Sequence, residues 1–172
     1  MTMKGYDTIL VGTDGSDLAD PTVARAVWLA AREDADLVII CAYSELSRRA
    51  EAKNTATTGG DVRAGQVMGR SAASAAIAAA VAVAEREGAT IARTQLVDGD
   101  PAKALVQLAG DHSAGLIVLG AVHDRSLADR LLGTTAEEVT KQAVCDVLIV
   151  RPASGEAEFE VPESADEAAP ST

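Results

Sequence analysis

A chain of 172 residues is long enough for one domain with a sizeable core and too short for two well-developed ones. Its 48 % hydrophobic and 24 % charged content is ordinary for a globular protein. Aromatic residues at 2 % leave little for stacking single-stranded nucleic acid, and a net charge of −11 disfavours phosphate backbones as large partners.

Taken in chain order, the first element is the apolar run DTILVG at 7–12, a strand leading into the polar loop TDGSD. PTVARAVWLAAREDA (21–35) reads as a helix opened by Pro21, whose missing N–H costs nothing in a first turn. DLVIICAY at 36–43 is a second strand. SELSRRAEAKNTATTGGDVRA (44–64) is a long polar stretch of the kind that forms lids or binding loops. GQVMGRSAASAAIAAAVAVAEREG (65–88) is an Ala-rich helix stopped by Gly88. The weaker, more alternating run at 90–99 predicts an edge strand. A helix over 100–110 has Asp100 as N-cap, Pro101 behind it and Gly110 at its end. GLIVLG at 115–120 is the fourth strand, 133–144 a helix with Glu137 and Glu138 in its first turns, and DVLIVR at 146–151 the last strand. The strong runs are nearly continuous in Val, Ile and Leu, as in strands covered on both faces. Alternation of five strands with four helices predicts right-handed crossovers and a three-layer α/β sandwich around a parallel sheet.

The domain therefore spans 1–152. Residues 153–172 carry six acidic side chains and no basic one, so the rest of the chain has a net charge of only −5. Their Glu, Ala, Ser and Pro content predicts an acidic, disordered tail. Cys41 and Cys145 stand alone at the ends of apolar runs and read as buried thiols in a reducing compartment. No apolar leader or membrane-length run is present, so the cytoplasm is the expected location and no membrane partner is expected.

Ligands of open α/β sheets bind beyond the carboxyl ends of strands, where the strand order reverses. Thr13, Asp14 and Ser16 follow the first strand. Gly120 ends the fourth, and Gly133-Thr134-Thr135 opens the helix after it. If those two strands are neighbours, Asp14 can accept sugar hydroxyls while the bare N–H groups and hydroxyls at 133–135 take a phosphate.

VGTDGSD after the first strand, G-x2-H-x9-G-T from Gly120, and the ending CDVLIVRP together resemble the universal stress protein family, over about Tyr6 to Pro152. The resemblance implies a Rossmann-like, adenine nucleotide alpha hydrolase-like fold with five parallel strands in the order 3-2-1-4-5. It also implies an adenine nucleotide held by Gly12, Thr13, Asp14, Ala42, Gly120, Val122, His123, Gly133, Thr134 and Thr135. ATP is the expected ligand, with Mg as its counter-ion. Cyclic AMP or AMP is the alternative, since the small single-domain actinobacterial members that this chain resembles include cyclic AMP binders. His123 stands where the ATP-binding branch has its middle glycine. Its imidazole either fills phosphate space or, when protonated, adds a cation for the phosphates. Arg125 and Arg130 lie in the same loop, and 44–64 would close over the base. The resemblance further implies a homodimer through strand 146–151, an otherwise bare apolar edge.

His112 and His123 are the only histidines, and no HExxH, Cys/His metal spacing or GxxxxGK[ST] loop occurs. Efficient hydrolysis is not expected. A nucleotide-binding stress regulator leads. A family member without nucleotide, acting by protein contacts alone, is the runner-up.

Overall fold

A computed structural model of the chain describes residues 5–16, 18–45, 67–121 and 132–151. Among these residues six strands run Thr8–Gly12 (β1), Asp36–Ser44 (β2), Val67–Met68 (β3), Ile91–Asp98 (β4), Leu116–Gly120 (β5) and Asp146–Val150 (β6). The helices among the described residues are Ala19–Glu33 (α1), Arg70–Arg86 (α2), Pro101–Asp111 (α3) and Thr134–Gln142 (α4).

All strand pairs are parallel: β2 with β4, β1 with β2, β1 with β5, and β5 with β6. The five long strands thus lie in the order β4-β2-β1-β5-β6, the expected arrangement. The difference is β3, two residues that sequence periodicity had absorbed into the helix after them; it pairs with Tyr43 and Ser44 of β2. Carbonyls alternate sides along a strand. Tyr43 O accepts from Gly99 N on the β4 flank, so Ser44 O, which accepts from Gly69 N, faces the other way, as does Ile40 O, which accepts from Thr13 N. Hence β3 lies on the β1 flank of β2, just beyond the point where β1 stops.

Side-chain alternation divides the core between two faces. Ile9, Val11, Leu37, Ile39, Leu116 and Val118 pack with Val23, Ala26 and Val27 of α1 and Ala80, Val83 and Ala84 of α2. Leu10, Val38, Ile40, Ile117 and Leu119 face Leu105 and Leu108 of α3 and Val139 of α4. Strands buried on both faces have no polar side to show, which accounts for their unbroken apolar runs. β4 and β6 each have one strand neighbour among the described residues, and both are only half-buried.

Several boundaries move. α1 starts two residues before Pro21, which sits within the first turn, where its missing donor is still harmless. Gly110 lies inside α3, which runs on to Asp111 with His112 as its C-cap, and Ser113 takes a positive φ of 51°. Cys41 is buried as expected, whereas Cys145 is only half-buried. Residues 46–66 and the tail from 152 onward lie outside the described residues.

Asp100 is the N-cap of α3, its Oδ1 accepting from Lys103 N at 2.9 Å. Asp100→Ala should lower unfolding stability by about 1 kcal/mol, read as a shift in urea midpoint at constant slope; an unchanged midpoint would remove the cap's role. Burial, and secondarily the nearby Asp14 carboxylate, push the Cys41 thiol up from 9.0 to about 12. Above pH 9 the unfolded thiol ionises before the folded one. Its contribution is therefore complete below pH 9 and lost as pH rises toward 12. Tyr6 and Cys145 are also raised and add to the same fall. Cys41→Ala should flatten part of the alkaline decline in urea midpoint, and a decline as steep as the parent's would refute this.

Candidate functional site

The β1–β5 pairing sets Ile9, Leu10 and Val11 against Leu116, Ile117 and Val118, so both strands end at one edge of the sheet. β1 delivers Thr13 and Asp14 there, and β5 delivers Gly120 and Ala121. Thr13 is buried, its N–H donating to Ile40 O at 2.9 Å. Asp14 Oδ1 accepts from Ser16 N at 2.9 Å, which fixes the carboxylate in a turn and leaves Oδ2 for a ligand. Its charge adds to burial in raising the Cys41 thiol of β2.

Two of the expected ligand glycines are packing glycines. A Cβ on Gly12 would stand 2.8 Å from Leu119 Cδ2 and 3.2 Å from Leu105 Cδ2. A Cβ on Gly120 would stand 3.1 Å from Thr22 Oγ1 and 3.2 Å from Leu18 Cδ2. The missing side chains thus let α3 close over one face and the first turn of α1 over the other. Only their backbones are left to meet a ligand at the edge.

Gly133 is different. As N-cap of α4 it has φ 85° and ψ 149°, a conformation essentially reserved for glycine. The N-cap of α2, Gly69, has φ 87° and ψ 147°. Neither helix has a side-chain cap, so the first-turn N–H groups of both are without a side-chain acceptor among the described residues. Both helices follow strands of a parallel sheet, so both present positive dipole ends at the edge where Asp14 stands. α2 comes especially close: a Cβ on Gly15 would lie 3.1 Å from Ala76 Cβ. Sequence reading missed this second N-terminus because VMGRS lay inside a helical pattern. The one available signal was the glycine directly before Arg70.

Thr134 is exposed and Thr135 half-buried in the first turn of α4, beside the bare N–H groups. Glu137, on the same turn, is taken by Lys141 Nζ at 2.6 Å, so its charge is offset. Ala42 is half-buried near the end of β2, opposite Val97 of β4. Val122, His123, Arg125, Arg130 and all of 44–64 beyond Glu45 lie outside the described residues. No group of three potential metal ligands occurs among the described residues, and no helix there is long and apolar enough to cross a membrane.

Residues 5–151 match the model of the universal stress protein family. The universal stress protein Rv1636 of Mycobacterium tuberculosis H37Rv is 35 % identical over 148 residues, covering 86 % of this chain and 98 % of that one. Its crystal structure matches with a TM-score of 0.54 over 88 % of this chain and 99 % of that one, at 31 % identity. A universal stress protein crystallised in complex with cAMP matches with a TM-score of 0.62 and 34 % identity, over 86 % and 98 % of the two chains. With the parallel sheet, the β1–β5 junction and the Gly133-Thr134 helix start all in place, the chain belongs to the universal stress protein family.

Proposed function

We propose that this protein binds an adenine nucleotide at the β1–β5 junction and acts as a cytoplasmic regulator in the stress response, with at most very slow ATP hydrolysis. The observation that carries the reading is the convergence of a fixed carboxylate, Asp14, with the uncapped first turn of α4 at one sheet edge. Asp14 Oδ2 accepts ribose hydroxyls, Ala42 leaves room for the purine at the end of β2, and the N–H and hydroxyl groups of Thr134 and Thr135 take a phosphate. ATP is the leading ligand, and any Mg would come with its phosphates. The 34 % identical relative crystallised with cAMP favours cyclic AMP as the second reading. We also propose a homodimer through 146–151: β6 is a half-exposed apolar edge, and Val144 just before it is 94 % exposed.

Two ribose hydroxyls are free in ATP and one in cyclic AMP. Asp14→Ala should weaken ATP binding by about 1.5–3 kcal/mol and cyclic AMP binding by less. Thr134→Val should cost roughly 1 kcal/mol with either. Calorimetry on variants with native circular dichroism checks both. Unchanged affinity in Asp14→Ala would sink the ribose assignment, and absence of any adenine-nucleotide heat in the parent would favour the protein-contact reading. Sedimentation at micromolar concentration should give a dimer of the 17.6 kDa chain; a monomer would refute the β6 interface.

A further inference from the structure

Trp28 is the only tryptophan in the chain, and it lies 49 % exposed on the outer face of α1. Three residues before it and four after it, Arg25 and Arg32 reach over its ring, with Cζ atoms 5.6 and 4.8 Å from the centroid. Among the described residues neither arginine forms an ion pair with a carboxylate. These are also the two cation–aromatic contacts found there. The opposite face of α1, with Thr22, Val23, Ala26, Val27 and Ala30, does the packing. The Arg-Trp-Arg stripe therefore contributes little to the core, and it lies well down the helix from the nucleotide edge. Guanidinium groups stacked on a ring keep their edge N–H donors free. Such a surface fits a segment that offers carboxylates beside an apolar ring.

We propose that the occupant is the acidic segment 153–172 of the same chain, seated with Phe159 against Trp28 and its glutamates on Arg25 and Arg32. The segment carries six carboxylates and no cation, and Phe159, the only phenylalanine in the chain, lies between Glu158 and Glu160. Its point of departure is suitable. Arg151 closes β6, whose Leu148 and Val150 pack against the same core cluster as Val23 and Val27 of α1. Eight residues from Arg151 to Phe159 span up to about 26 Å. Trp28 is only about 14 Å along α1 from Ala19, at the end of the helix nearest that sheet edge. The rest of the domain is itself net negative, so two cations with no carboxylate partner among the described residues, flanking an exposed ring, mark a favourable place for a polyanionic segment to settle.

Because Trp28 is unique, its fluorescence reads this surface directly, and acrylamide, being neutral, reports exposure without responding to net charge. Neutralising the segment in the full chain (Glu156, Glu158, Glu160, Glu163 and Glu167 to Gln, Asp166 to Asn) should red-shift the emission and raise the acrylamide quenching constant about two-fold. Phe159→Ala should move both in the same direction. About 0.5 M salt should bring the parent to the variant's values, since it screens exposed pairs. Arg25→Gln with Arg32→Gln should abolish the difference between parent and neutralised segments. Circular dichroism confirms that each variant is folded. Equal quenching in parent and neutralised chains overturns the proposal. So does protection that disappears on dilution, which would assign the surface to the segment of a second copy.

Discussion

Everything at the candidate site depends on β1 lying between β2 and β5. After β4 the chain has extended the sheet to one side; α3 then carries it back across, and β5 is laid against the free flank of β1. At that reversal the connections leaving the two neighbouring strands diverge to opposite faces of the sheet, and a crevice opens between them. The register of Val11 with Val118 ends both strands at nearly the same height. Asp14 and the chain that leads to α4 therefore leave from adjacent positions, and no side chain needs to reach across the fold. Gly12 and Gly120 serve this junction by packing: lacking Cβ atoms, they admit Leu105 from one layer and Leu18 and Thr22 from the other. A methyl group at either position would press a helix away from the strand ends that it helps to fix.

A protein of net charge −11 is an unpromising host for an anion if charge is judged over the whole molecule. The relevant field is local. Helix dipoles act within the first turn, while charges farther off are screened over about 10 Å at ordinary salt. At this edge the first turn of α2 contains no acidic residue, and the acid in the first turn of α4 is neutralised by Lys141. By contrast α3 is capped by Asp100, and α1 carries Asp20 in its first turn. Among the described helices, α2 and α4 are the two whose N-caps are glycines in the same rare conformation.

The strands were legible as unbroken runs of Val, Ile and Leu: DTILVG, DLVIICAY and GLIVLG because they are buried on both faces, and DVLIVR because, though half-exposed, it packs against both layers. Asp100-Pro101 was legible because capping is local chemistry. β3 was not, since two residues have no periodicity, and Val67 and Met68 are extended only because Ser44 and Tyr43 of β2 present free backbone groups beside them. Gly110 was misread for a related reason: helix termination depends on where the next strand must begin, and the left-handed turn fell to Ser113. At the site, residue types and spacing marked Asp14, Gly133 and Thr134. They could not separate glycines that bend the chain from glycines that admit a neighbour's side chain. That distinction belongs to packing between layers.

On the proposed reading, the same division bears on which nucleotide the site prefers. The first turn of α4 offers the N–H groups of Thr134, Thr135 and Ala136, with two hydroxyls, about the complement of one phosphate group. A nucleotide with a single phosphate would be satisfied by this rigid edge together with Asp14. Further phosphates would need donors beyond that turn; the first turn of α2, also without a side-chain cap, stands at the same edge, and the sequence between Ala121 and Leu132 holds His123, Arg125 and Arg130. On this reading, preference between ATP and cyclic AMP rests on donors beyond the first turn of α4. Substitutions at Asp14 alter how firmly any adenine nucleotide is held by its ribose, and substitutions at His123 alter how many phosphates it can carry.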